Sequence, residues 1–148
     1  MGIFDKVLGK KDQGPVSLDQ REAFAAVCVA SVAADGVIER EEVQRIVTNL
    51  VEKQLFRSHS LDDVLSLLNK VANLIQKRGP QPVLEAAAKA LSPELRQTAF
   101  VMAADLVLAD GVVEQKEKEF LEAFQKTLQI DDELALKAVE VMVVKNRG

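Results

Sequence analysis

The sequence is 148 residues long, 48% hydrophobic, and carries a formal net charge of −4. That length fits one domain with a sizeable hydrophobic core, and the acidic balance argues against a nucleic-acid-binding protein, which is typically basic. The single cysteine, Cys28, excludes an internal disulfide, and its apolar neighbours predict a small buried side chain. No leader is visible and no apolar stretch reaches the roughly 20 residues that cross a bilayer, so we expect a cytoplasmic protein.

Residues 1–16 form a separate N-terminal segment. Four apolar residues recur there at helical spacing, namely Ile3, Phe4, Val7 and Leu8. Lysines lie between and after them, at Lys6, Lys10 and Lys11. The pattern is typical of a short amphipathic anchor that contacts an anionic membrane surface weakly through residues 1–12. A first half-helix docked on the core, or a frayed end, fits the same pattern, and the sequence leaves these interpretations open.

Residues 17–148 predict an all-helical domain. Helix caps, helix breakers and apolar residues at i, i+3, i+4 spacing predict seven helices there. Their approximate ranges are 17–34, 39–53, 61–78, 81–91, 93–109, 114–128 and 132–145. Because no segment shows sustained alternation of apolar and polar residues, we predict an all-α, single-domain bundle of about seven helices without strands.

The same patterns predict the helix caps and the buried faces. Ser17 is the expected N-cap of the first helix, whose second half is apolar on nearly every face and should lie in the middle of the fold. Ser60, Ser92 and Asp131 are the expected N-caps of three later helices. The predicted inward-facing residues of the second helix are Val43, Ile46, Val47, Leu50 and Val51, and those of the last helix are Leu134, Ala138 and Val141.

The sequence contains two copies of one helix-turn-helix corner. Ala34-Asp35-Gly36 matches Ala109-Asp110-Gly111, and the glutamates that follow match as Glu39 with Glu114 and Glu42 with Glu117. We therefore predict a pseudo-twofold duplication with halves at about 17–78 and 92–148. Glycine at each corner suits the left-handed backbone that ends a helix.

The acids of the two corners have two interpretations. The spacing resembles half of an EF-hand loop, but the first and third loop positions would be Ser31 and Ala33, which cannot ligate calcium in that way. If the corners face each other, six carboxylates could bind a hard divalent cation such as Ca²⁺, Mg²⁺ or Mn²⁺. These candidate metal ligands are Asp35, Glu39, Glu42, Asp110, Glu114 and Glu117. Alternatively, the acids serve only as helix caps.

Nothing in the sequence predicts an enzyme. The single histidine, His59, lies in a polar loop without a cysteine or second histidine to share a metal, and we expect it to be exposed to solvent. No catalytic triad pattern, phosphate-binding loop, dinucleotide-binding turn or CxxC motif is present. We therefore expect a non-enzymatic protein.

The first corner and its incoming helix resemble the TerB-like tellurite-resistance family. The resemblance rests on residues 26–36 with Glu39 and Glu42, on the second corner with Glu114 and Glu117, and on Phe4-Asp5-Lys6-Val7 near the start. It implies a bundle of about seven helices with pseudo-symmetric halves. It also implies a role in stress response or tellurite resistance, metal binding through an acidic surface, and a membrane-bound protein partner at the inner face of the membrane.

Overall fold

A computed structural model describes residues 14–34 and 36–148, which form seven α-helices and one short 3₁₀ turn. The helices are α1 (Gln20–Val32), α2 (Arg40–Val51), α3 (Leu61–Arg78), α4 (Pro80–Ala90), α5 (Pro93–Val107), α6 (Gln115–Leu128) and α7 (Asp132–Lys145). The 3₁₀ turn, Gln54–Phe56, follows α2. None of the described residues lies in a β-strand, so the prediction of an all-α, single-domain fold with seven helices is confirmed. The proposed duplication itself remains a prediction.

Helix α1 is the centre of the core. Every residue from Ala23 to Ser31 is buried, and the helix packs against α3, α4 and α5. Alanine is the strongest helix former, and its small side chain lets neighbouring helices approach closely. The prediction that this helix lies in the middle of the fold is confirmed.

The start of α1 differs from the prediction. Asp19, not Ser17, is the N-cap: its Oδ1 accepts the Glu22 amide at 2.8 Å, and Glu22 Oε1 accepts the Asp19 amide at 2.9 Å. Starting the helix at this position places Leu18 just before the cap, where it packs against the core. An apolar residue there fixes the angle at which the chain enters the helix, which favours Asp19 over Ser17.

The later helix boundaries follow the expected capping chemistry. The Ser60 side chain accepts the Asp63 amide, the Ser92 side chain accepts the Leu95 amide, and Asp131 caps α7. Gly79, at φ +81°, separates α3 from α4. Short polar side chains therefore set three helix starts, as the sequence predicts.

Two residues predicted to face the core are exposed. Val51 is 41% exposed, because the chain leaves α2 immediately after it and buried Phe56 of the 3₁₀ turn occupies the core beyond. Val141 is 57% exposed. Helix α7 packs mainly against α5 and buries Ala135 and Ala138, so Val141 lies outside that stripe.

Candidate functional site

The two corners share the same local geometry. Gly36 and Gly111 both adopt positive φ, at 80° and 76°. The Gly36 amide donates to Ala33 O at 2.8 Å, and the Gly111 amide donates to Leu108 O at 3.0 Å. Glycine is required at both positions because other residues adopt positive φ at a cost. Both glycines therefore have the predicted left-handed backbone, but they lie in the turn three residues after the C-caps Ala33 and Leu108 and do not themselves end the helices.

The glutamates that follow each corner cap the next helix. Glu39 is the N-cap of α2, and its amide donates to Glu42 Oε1 at 3.1 Å. Glu114 is the N-cap of α6, and its amide donates to Glu117 Oε1 at 3.0 Å. This is the glutamate half of a capping box, and it confirms the predicted capping positions.

Asp110 stabilises its own turn. Its Oδ1 accepts the Val112 amide at 3.0 Å, a local side-chain to backbone bond typical of aspartate in turns. The predicted counterpart, Asp35, lies outside the described residues. The comparison of the two leading aspartates therefore stays a prediction.

Three of the six candidate ligands line one groove of about 470 Å³, here called the inter-corner groove. Glu42 comes from the first corner, whereas Asp110 and Glu117 come from the second. Glu39 lines a larger neighbouring groove of about 990 Å³ between α2 and the ends of α5 and α7. Glu114 lines neither groove. One glutamate that follows the first corner therefore shares a groove with two acids of the second corner, whereas Glu39 and Glu114 lie outside that groove. The pseudo-twofold arrangement of the two corners stays a prediction.

The carboxylates of the inter-corner groove are spread out and interleaved with basic residues. Arg45 and Lys116 line the same groove. Among residues 14–34 and 36–148, no group of three or more histidine, cysteine, aspartate or glutamate side chains is arranged to hold a metal ion. Within this part of the chain, the groove offers a diffuse acidic surface with apolar walls and no compact cation cage.

A polar network closes the larger groove. Lys145 Nζ donates to Asp105 Oδ1 at 3.1 Å, and Asn146 Nδ2 donates to the same oxygen at 2.8 Å. Asn146 Nδ2 also donates to Leu108 O at 3.1 Å. The network ties the C-terminal end of α7 to the second corner. Sequence reasoning missed Lys145 and Asn146, because no local pattern connects residues some 40 positions apart.

Cys28 is a buried thiol beside a methionine. Its Sγ lies 3.4 Å from Met102 Sδ. Burial raises the pKa of the Cys28 thiol to about 12, although Lys53 acts in the opposite direction. The prediction of a small buried side chain is confirmed.

The raised pKa of Cys28 should make stability fall at high pH. Below about pH 9, the ordinary value, the thiol is protonated in both states. Above about pH 9 the Cys28 thiol of the unfolded chain loses its proton while the thiol of the native protein keeps it. The free energy of unfolding should therefore drop as the pH rises toward 12. Urea unfolding at pH 8, 9.5 and 10.5 would measure the drop, and Cys28→Ala should lack this part of it. Rapid modification of native Cys28 by a thiol reagent at pH 8 would contradict this assignment.

His59 lies away from both grooves and lines a separate pocket beside α3. Its ring packs edge-on against the ring of buried Phe56, with the two ring centroids 6.2 Å apart. Its Nδ1 lies 3.3 Å from Ser58 Oγ. As predicted, His59 lies in a loop, but its side chain is only partly exposed to solvent. The aromatic contact shields one part of the ring.

No helix within the described part of the chain is both long and apolar enough to cross a bilayer.

Comparison with known proteins identifies a family for this chain. The family model described as "Tellurite resistance protein TerB" matches residues 21–138. No curated protein and no solved structure matches the chain significantly. The matched range runs from the first turn of α1 to the middle of α7 and includes both corners and the inter-corner groove. The chain therefore belongs to the TerB tellurite-resistance family.

Proposed function

We propose that this protein is a non-enzymatic, cytoplasmic stress-response protein that binds a hydrated divalent cation weakly in the inter-corner groove. The observation that carries the proposal is the meeting of Glu42 with Asp110 and Glu117 along one groove. Oxygen ligands favour Ca²⁺, Mg²⁺ or Mn²⁺. Mg²⁺ in particular retains several waters and binds through one or two carboxylates, which suits carboxylates that do not converge.

The capping role of the glutamates is compatible with such binding. The capping bond of Glu42 and that of Glu117 each use Oε1. The second carboxylate oxygen can face a hydrated ion while the cap stays in place. Arg45 and Lys116 reduce the local negative charge, so the expected affinity is modest and should fall as ionic strength rises.

The test is the change in melting temperature when Ca²⁺, Mg²⁺ or Mn²⁺ is added. An ion at a hundredfold its Kd adds about 2.7 kcal/mol, which is roughly 5–10 °C for a chain of this size. The triple variant Glu42→Gln/Asp110→Asn/Glu117→Gln should abolish the rise. Each replacement keeps a side-chain oxygen for the local hydrogen bond and removes only the charge.

A matched control removes three charges elsewhere. Glu52, Glu122 and Glu140 are exposed and line neither groove. The Glu52→Gln/Glu122→Gln/Glu140→Gln variant should keep the full rise in melting temperature. No rise in the wild-type protein at millimolar ion, or the same loss in both triple variants, would contradict cation binding in the groove.

The second candidate function is an adaptor that docks on a membrane-associated protein, with the acids serving only as caps. The observation that favours it is the apolar edge of the second corner. Val112 is 56% exposed and Val113 is 41% exposed, directly after Asp110 and Gly111 of that corner. Two adjacent exposed valines offer a partner protein an apolar contact. If none of the three cations changes the melting temperature of the wild-type protein, this alternative is favoured.

A further inference from the structure

The walls of the inter-corner groove are apolar where the carboxylates do not reach. Val32 at the end of α1, Val107 at the end of α5 and Phe120 in α6 all line it and are only partly buried. The groove therefore combines a half-exposed apolar lining with three carboxylates and two basic residues, Arg45 and Lys116, so the charged groups of its lining sum to −1. That combination is complementary to a short amphipathic segment carrying positive charge.

The described chain begins beside the end of α3. Gly14 O accepts a hydrogen bond from Arg78 Nη2 in the last turn of that helix. Gly36 of the first corner packs against α3 beside Ala72 and Gln76. Arg78 lies two residues beyond Gln76, about 3 Å further along the helix axis. The thirteen residues that precede Gly14 therefore start at the end of the helix that supports the first corner.

Those thirteen residues have the composition that the groove requires. Their apolar residues recur at helical spacing, at Ile3, Phe4, Val7 and Leu8. Their basic residues, Lys6, Lys10 and Lys11, outnumber the two aspartates among them. A segment of this length can span roughly 40 Å when extended, so reach does not limit where it can bind.

We propose that residues 1–13 of this chain dock in the inter-corner groove. The apolar residues of the segment cover Val32, Val107 and Phe120, and its lysines face the three carboxylates of the groove. Tethering favours this occupant, because a short linker gives an effective concentration in the millimolar range. The proposal does not depend on cation binding, but both use the same carboxylates, so a bound cation and the docked segment would compete.

Paramagnetic NMR on the full chain tests the docking. A nitroxide is attached to a Gly9→Cys variant, which keeps all three lysines of the segment, while Cys28 stays unmodified because it is fully buried with a thiol pKa of about 12. Docking should broaden the amide signals of Val107, Glu117 and Phe120. A label on Lys89→Cys, which lines a different groove, is the control and should leave those signals sharp. A chelator is present throughout, so the result does not depend on whether the groove binds a cation.

Charge variants then test the basis of the docking. Adding Glu42→Gln/Asp110→Asn/Glu117→Gln to the labelled chain should strongly reduce the broadening, whereas Glu52→Gln/Glu122→Gln/Glu140→Gln should leave it unchanged. Absence of broadening at the groove, or broadening that persists fully after neutralisation, would overturn the proposal. Broadening seen only when labelled and ¹⁵N-labelled copies are mixed would identify a second copy as the occupant and would also overturn it.

Discussion

Replacing Gly36 with alanine should lower the free energy of unfolding by about 3–5 kcal/mol. Gly36 holds φ at +80°, and a Cβ at this position would lie 2.5 Å from Ala72 O and 2.8 Å from the Gln76 amide nitrogen. Both neighbours belong to the backbone of α3, so they cannot move without distorting that helix. Backbone strain and a steric clash therefore add at one position. Equilibrium urea unfolding measures the change.

The other glycines give graded controls for this prediction. At Gly111 a Cβ would lie 2.9 Å from the Arg147 amide nitrogen. Arg147 lies outside any helix, past the end of α7, so a shift there breaks no helical hydrogen bond and Gly111→Ala should cost less than Gly36→Ala. At Gly14 nothing lies within 4 Å, and the Gly14→Ala variant should be near neutral. Equal stabilities for the Gly36 and Gly14 variants would contradict this account of the first corner.

The two corners are supported by different elements. A Cβ at Gly36 would meet the backbone of α3, whereas a Cβ at Gly111 would meet the residues that follow α7. Those residues are held near the second corner by Asn146 Nδ2, which donates to Asp105 Oδ1 and Leu108 O. The first corner therefore rests on a helix backbone, and the second rests on a segment held by side-chain hydrogen bonds.

The helices could be predicted from local chemistry, because each one carries its own start and stop signals. The side chains of Ser60, Ser92 and Asp131 each cap the start of the helix that follows. The first helix start was mispredicted because Ser17 and Asp19 are comparable caps, and packing of Leu18 against the core decides between them. The wrong predictions for Val51 and Val141 have a similar origin, since periodicity identifies a stripe but not which helices cover it.

The candidate site could be predicted only in part. The repeat indicates which acids are related, and Glu42, Asp110 and Glu117 do share a groove. Whether related acids converge depends on the angle between α2 and α6, which the sequence pattern does not encode. Arg45, which lies on α2 within the same groove, carries no signal that separates it from an ordinary surface arginine.

The second large effect concerns the core. Phe24→Ala should lower the free energy of unfolding by about 3–5 kcal/mol. Phe24 is 1% exposed in α1, and its ring packs edge-on against Phe56 with centroids 6.3 Å apart. Removing it leaves a cavity between the central helix and the 3₁₀ turn after α2. Urea unfolding measures the loss, and Phe120→Ala, at a partly exposed site, should cost clearly less. Similar losses in the two variants would contradict the central position of α1.

The Phe24 variant also separates stability from ligand binding. Phe24 lies eight residues before Val32, so it is about 12 Å along the helix axis from the groove. A cation that binds the inter-corner groove should therefore raise the melting temperature of Phe24→Ala by as much as it raises that of the wild-type protein. In Phe120→Ala, by contrast, the wall of the groove is lost while most of the core remains. Binding of the N-terminal segment to the groove should then weaken although the fold stays intact, because the apolar residues of the segment lose part of the surface that they cover.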